Sequence, residues 1–210
     1  NFSKERFPQI LIIVPTRELV AQVVEEVEKL TKYMNVVTVG VYGGANIKTQ
    51  SIQIAEGLDV LVATPGRLMD LALKGDLALK NIKKLIIDEV DETLNLGFRR
   101  QLTTILDILP TKKQSLLFSA TITDEVETLI EEYFISPVKI EAAPTGTPLE
   151  NIAQFGYHVP NFNTKINLVH TLLETGIDMN KVLIFVESKK FADRLFEQVE
   201  PNFPGEVGVI

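Results

Sequence analysis

Short apolar runs rich in β-branched residues alternate along the chain with stretches whose apolar positions recur every three or four residues. Ile10-Leu11-Ile12-Ile13-Val14 is apolar throughout, as strands covered on both faces are. The same pattern predicts strands over 10–14, 36–42, 60–63, 85–88, 115–119 and 138–140. Leu19, Val20, Val23, Val27 and Leu30 fall at helical spacing behind Thr16, a good N-cap residue. Residues 98–109 and 124–133 repeat that period. Strand and helix in alternation predict an α/β fold, a parallel sheet flanked by helices.

The pattern breaks at Ala142-Ala143-Pro144-Thr145-Gly146-Thr147-Pro148, where two prolines and a glycine among small residues read as a linker. This divides the chain into a first domain over 1–141, a linker over 142–149 and a second domain over 150–210. After the linker the alternation restarts: strand 152–159, helix 164–174, strand 182–185, helix 189–198, and a strand beginning near Val207. A buried strand at the last residue is expected to be the start of a domain that is cut short. The first residue is Asn1 rather than Met, and Asn1-Phe2-Ser3-Lys4-Glu5-Arg6 has no signal-peptide character.

Composition narrows the chemistry. The 210 residues contain no cysteine, which excludes disulfides, thiolate metal sites and a cysteine nucleophile. Two histidines, His158 and His170, cannot build a multi-histidine metal site, and neither is assigned a role. No apolar run approaches the roughly 20 residues of a membrane span, and a cytoplasmic protein is expected. The net charge is −7, with 16 basic and 20 acidic residues before residue 150, then 5 and 8 from Glu150 onward. A nucleic-acid partner must therefore be held by a few arginines and backbone amides rather than by a broad basic face.

The polar residues are placed unevenly. Pro15-Thr16-Arg17-Glu18, Gly43-Gly44, Thr64-Pro65-Gly66-Arg67, Asp88-Glu89-Val90-Asp91 and Ser119-Ala120-Thr121 each follow directly on an apolar strand. In an open parallel sheet the carboxyl ends of the strands share one edge, where ligands bind. Asp88 and Glu89 at a strand end resemble a Walker B pair, Asp88 holding Mg2+ through water and Glu89 orienting an attacking water. They also suit the start of a following helix. Asp91 adds a third carboxylate, and three packed anions need a cation or hydrogen-bond donors. Ser119 and Thr121 suit a helix cap or bonds to the 88–91 turn. Gly43-Gly44 suits a simple turn or the close approach of a phosphodiester to backbone N–H groups. Arg17 and Arg67 are the two arginines at this edge, and Arg17 beside Glu18 also suits a surface ion pair.

In order and spacing the five clusters resemble the DEAD-box ATP-dependent RNA helicases. Pro15-Thr16-Arg17-Glu18-Leu19 matches that family's PTREL motif, Gly43-Gly44 its GG element and Thr64-Pro65-Gly66-Arg67 its TPGR motif. Asp88-Glu89-Val90-Asp91 stands where the family has Asp-Glu-Ala-Asp, with valine at a non-ligand position, and Ser119-Ala120-Thr121 is its SAT motif. Leu183-Ile184-Phe185-Val186 fits the strand that opens the family's second domain. The resemblance implies two RecA-like lobes with ATP and Mg2+ between them, closing on single-stranded RNA and coupling hydrolysis to local duplex unwinding. It places Pro15, Thr16, Arg17, Gly43, Gly44, Thr64, Gly66 and Arg67 on the RNA. It places Asp88, Glu89 and Asp91 on the nucleotide, with Ser119 and Thr121 linking the two.

No G-x-x-x-x-G-K-[ST] phosphate loop occurs in the sequence, and the arginine-rich motif of the family's second domain is also absent. The chain is therefore expected to be a fragment without activity of its own. A DNA-directed helicase or translocase and a catalytically dead RNA-binding lobe are the alternatives. A dinucleotide-dependent oxidoreductase is disfavoured, since no G-x-G-x-x-G follows any strand.

Overall fold

A computed structural model describes residues 7–141, 152–176 and 180–209. The chain divides into two compact units, Asn1–Thr147 and Pro148–Ile210. In the first, strands β1 (Ile10–Ile13), β2 (Thr38–Val41), β3 (Val60–Ala63), β4 (Lys84–Ile87) and β5 (Gln114–Leu117) form one parallel sheet ordered β2-β3-β1-β4-β5. Helices α1 (Arg17–Leu30), α2 (Ile47–Ala55), α3 (Pro65–Lys74), α4 (Val90–Asn95), α5 (Arg99–Ile108) and α6 (Asp124–Tyr133) flank it. This is the α/β layout anticipated from the pattern, in the RecA-like form that the resemblance implies. The sequence reading named α1, α5 and α6 but not α2, α3 and α4. In α2 the apolar spacing is diluted by Lys48, Thr49, Gln50, Ser51 and Gln53, and α4 spans only six residues.

Side-chain alternation assigns each strand residue to a face. Leu11, Ile13, Leu61, Ala63, Leu85 and Ile87 point to the side covered by α2 through α6, where they pack with Ile54, Leu68, Leu71, Leu102, Ile105, Val126 and Leu129. Val60 and Val62 point to the other side and pack under α1 with Val20 and with Leu19, Val23, Val24 and Val27. Helix α1 covers the β2-β3-β1 half of that second face. On the β4-β5 half, Ile86 is half-buried and Leu116 exposed; β3 is buried at every position, whereas Ile10 and Ile12 leave β1, expected to be buried on both faces, half-covered on the α1 side.

The strand expected over 138–140 does not form: Val138 and Ile140 are exposed and pair with no neighbour. The second unit contains α7 (Phe162–Thr175), α8 (Lys189–Val199) and a 3-10 turn (Glu200–Asn202). The helices meet through Phe162 and Phe191, whose ring centroids are 5.3 Å apart at 62°, with the Arg194 guanidinium 4.1 Å from the Phe162 centroid. Among the described residues of this unit no strand forms, so the expectations over 152–159, 182–185 and from Val207 are corrected. Apolar runs there lack ladder partners, and an unpaired strand is not stable in water; Phe155 is 80% and Phe185 87% exposed. The linker expected over 142–149 lies outside the described residues. Among the described residues no helix is long and apolar enough to cross a membrane.

Leu61 on β3 is fully buried in this core and Leu30, in the last turn of α1, is 82% exposed. Leu61→Ala is expected to cost about 2–5 kcal/mol of unfolding free energy and Leu30→Ala less than about 0.5 kcal/mol. Urea titration followed by circular dichroism separates them, and equal midpoints would contradict the assigned core.

Candidate functional site

The strands run in phase. Val41, Ala63, Ile13, Ile87 and Leu117 form one row across the sheet, so the five turns that follow lie along one rim. With strands about 4.8 Å apart, the rim is about 19 Å long. Read along it, the order is Gly43-Gly44 after β2, Thr64-Pro65-Gly66-Arg67 after β3, Pro15-Thr16-Arg17 after β1, Asp88-Glu89 after β4 and Ser119-Ala120-Thr121 after β5. Segments up to a hundred residues apart in sequence thus become neighbours.

On the β2-β3-β1 half, each turn starts a helix. Thr16 caps α1, its Oγ1 accepting from the Leu19 amide at 3.3 Å, and Asn46 caps α2, its Oδ1 accepting from the Lys48 amide at 2.9 Å. Pro65 opens α3, while Thr64 is buried and makes no side-chain cap bond. Pro15 is buried and Arg17 exposed, its Nε donating to Glu18 Oε1 at 2.7 Å. That bond and the opposite charge raise the Arg17 pKa and lower that of Glu18.

Gly43 and Gly44 are both exposed at the tip of their turn. Gly44 has φ +82°, a region glycine adopts without strain. A Cβ added at Gly43 would meet nothing within 4 Å. Beneath the turn, Arg67 is buried and its guanidinium faces inward. Nη1 donates to Gln50 Oε1 at 2.6 Å and Nη2 to the Ala45 carbonyl at 3.0 Å, while Gln50 Nε2 donates to the Tyr42 carbonyl at 3.3 Å. Arg67 and Gln50 therefore clamp both ends of the glycine turn. The sequence reading missed Gln50. Its only signal was a polar residue on the apolar stripe of α2, between Ile47 and Ile54.

The β4-β5 half is tied by a different pair. Asp91 is buried, and its Oδ2 accepts from the Thr121 amide at 2.9 Å and from Thr121 Oγ1 at 2.7 Å. Ser119 Oγ donates to the Thr121 carbonyl at 2.6 Å and closes the β5 turn. Burial pushes the Asp91 pKa up, but the Thr121 hydroxyl and amide, then the Ser119 hydroxyl and Glu92 amide, together outweigh it and hold the carboxyl below its ordinary value. Hydrogen-bond donors thus compensate this third carboxylate. Among the described residues no group of three acidic or imidazole side chains converges as a metal site. Asp88 stands apart, half-buried, its Oδ1 accepting from the Glu89 amide at 3.0 Å. Glu89 is exposed and lies in the left-handed region at φ 47°, ψ 52°, which costs a non-glycine residue of order 1–3 kcal/mol. The turn is held there by the Asp88 amide on the Ile13 carbonyl (3.0 Å) and the Val90 amide on the Phe118 carbonyl (3.1 Å).

Because folding lowers the Asp91 pKa, that group adds stability above its ordinary value of 3.8 and loses the contribution as pH falls through the lower folded value. Thr121→Val is expected to cost about 1–3 kcal/mol at pH 7, and less as the pH is lowered from 3.8 through the folded value and the Asp91 contribution is lost, so the comparison is made at pH 7 and at the lowest pH where the protein stays folded. Urea unfolding at the two pH values tests this, and a cost that does not fall at the lower pH would remove the bond from the account.

The sequence profile of the DEAD/DEAH box helicase family matches residues 2–129, a span that contains all five turns of the rim and more than half of the chain. With each motif seated at the carboxyl end of its own strand, a match of that extent makes this chain a member of the DEAD/DEAH box helicase family.

Proposed function

We propose that the rim belongs to an ATP-dependent RNA helicase, with its β2-β3-β1 half on the RNA backbone and its β4-β5 half on the nucleotide. The observation that carries this reading is the division of one rim into an open glycine turn at one end and a carboxylate–hydroxyl lock at the other. Nothing inside the protein requires glycine at position 43, which supports an outside group pressing on that backbone. Exposed amides at the start of α1 and α2 and the exposed Arg17 suit phosphate oxygens. Arg17 must leave Glu18 to reach one, and an exposed pair gives way at small cost. Thr64, Gly66 and the buried Pro15 shape the same strip, and Arg67 acts by positioning the glycine turn. Amide contacts carry no base sequence, and ribose 2′-hydroxyls within reach would favour RNA over DNA.

On the other half, Asp88 has the donor set for Mg2+, which keeps several waters and needs only one or two carboxylates beside phosphate oxygens. When bound, the ion neutralises charge on the transferring phosphoryl group. Glu89, exposed at the strand end, orients the attacking water and takes its proton on the carboxylate. Asp91, Thr121 and Ser119 fix the two turns to each other, so a displacement of one moves the other. The absent phosphate loop is supplied from outside these residues. The edge of β5, unpaired among the described residues, the exposed Leu116 and Phe118 and the half-buried Ile86 support a further strand and helix packing there. The second unit belongs to a second such lobe, and the protein is cytoplasmic.

Two measurements test this. Fluorescence anisotropy with a labelled ten-nucleotide uridine RNA is expected to show binding by the 210-residue chain, weaker binding of the DNA equivalent, and at least a tenfold loss (about 1.4 kcal/mol) in Gly43→Val with its melting unchanged. Equal affinity for DNA would favour a DNA-directed helicase, and an unaffected Gly43→Val would remove the glycine turn from the interface. Phosphate release with ATP and RNA is expected to stay at background for this chain. In a longer protein carrying the phosphate loop, Glu89→Gln is expected to lower kcat by about 10²–10⁴-fold with ATP still bound, and unchanged turnover would refute the role of Glu89.

A further inference from the structure

Strand β2 ends the sheet opposite β5, and its outer edge is open among the described residues. The Val37 and Val41 carbonyls accept from the Val60 and Thr64 amides, each at 3.1 Å. Because a parallel ladder turns alternate residues toward each neighbour, Thr38 and Gly40 direct their N–H and C=O groups outward. They lie in a cleft of about 470 Å³ formed by residues 37–40, Val24 and Glu28 of α1, and Gln53, Glu56 and Gly57 at the end of α2. Ligand-binding clefts fall in the same range, about 300–1,000 Å³. Thr38 Oγ1 is buried there without a hydrogen-bond partner.

An open edge is normally protected by lysine, proline, a bulge or a covering segment. Thr38-Val39-Gly40-Val41 contains neither lysine nor proline. The cleft walls instead carry two exposed carboxylates, Glu28 and Glu56, neither in an ion pair among the described residues. Gly40 adds a second constraint: a Cβ there would come within 2.9 Å of Val20 Cγ1 and 3.0 Å of Val24 Cγ2. The glycine lets α1 close down on the strand.

We propose that this edge receives an extended basic peptide segment of a partner protein, which adds a further parallel or antiparallel strand beside β2. Thr38 and Gly40 supply two donors and two acceptors to its backbone, and Glu28 and Glu56 receive its lysine or arginine side chains. The same carboxylates repel the phosphates of a nucleic acid. They also oppose a second copy of the chain, whose β2 edge would bring its own Glu28 and Glu56 to the contact. The proposal is independent of the rim and of what binds there.

The test uses the 15N-labelled 210-residue chain and two probes, acetyl-Lys-Val-Thr-Val-Lys-amide and the same peptide with glutamate at both ends. The lysine peptide is expected to shift the Thr38 and Gly40 amide signals and slow their solvent exchange at least tenfold, leaving the already bonded Val39 amide unchanged. Glu28→Lys with Glu56→Lys, both exposed and so compatible with folding, is expected to weaken that peptide at least tenfold and to admit the glutamate peptide. Signals shifting elsewhere, indifference to either charge reversal, or Thr38 and Gly40 amides that become protected on raising the chain concentration without peptide would each overturn the proposal. The last result would assign the edge to self-association.

Discussion

The site depends on one constraint, the in-phase parallel register of five short strands. Right-handed crossovers fix the hand of such a sheet, and the register brings Val41, Ala63, Ile13, Ile87 and Leu117 level. Each turn beyond that row must both end a strand and start a helix, so its polar groups are committed before any ligand arrives. Thr16 and Asn46 use their side chains as caps, which leaves backbone amides and glycine surfaces as the free groups. An acidic chain can hold a polyanion only if the grip is local, and such turns provide that kind of grip.

Two buried polar pairs hold the rim in shape. Arg67 with Gln50 ties α3 and α2 to the glycine turn, and Asp91 with Thr121 ties α4 to the β5 turn. Buried charged groups are costly unless their hydrogen bonds are made. Asp91 meets that condition, and its lowered pKa records it. Arg67 meets it in part, since its Nε stays without a partner. Thr93 Oγ1, buried on α4, is likewise without a partner, so each half keeps one unmet polar group beside its tie.

How much of this was legible in the sequence follows from what is local. Strands at 10–13 and 60–63 were readable because their place inside the sheet makes them apolar throughout, and the α1 cap was readable because Thr16 acts within its own turn. The runs at 138–140, 152–159 and 182–185 had the same composition and formed no strand, because a strand exists only by virtue of its neighbours. Asp91 and Thr121 stood out through their motifs. Gln50 did not, since one glutamine on a helix has no signature. The inward turn of Arg67 was equally hidden, because an arginine at a strand end reads as a ligand contact until its partners are known.

The remaining question is how the two halves of the rim communicate in the proposed mechanism. Between the glycine turn after β2 and the turn after β5 lie β3, β1 and β4, whose Leu61, Ala63, Leu11, Ile13, Leu85 and Ile87 are fully buried. A close-packed sheet of this kind does not bend to carry a signal, so a change at Asp88–Asp91 cannot reach Gly43 by deforming it. Strand β5 is the exception: it alternates exposed and half-buried positions and is tied to the acidic turn through Thr121. Displacement at the nucleotide end should therefore pass first into the β5 turn and whatever lies against it. The glycine end stays fixed on the sheet, as a rigid platform against which bound RNA can be strained.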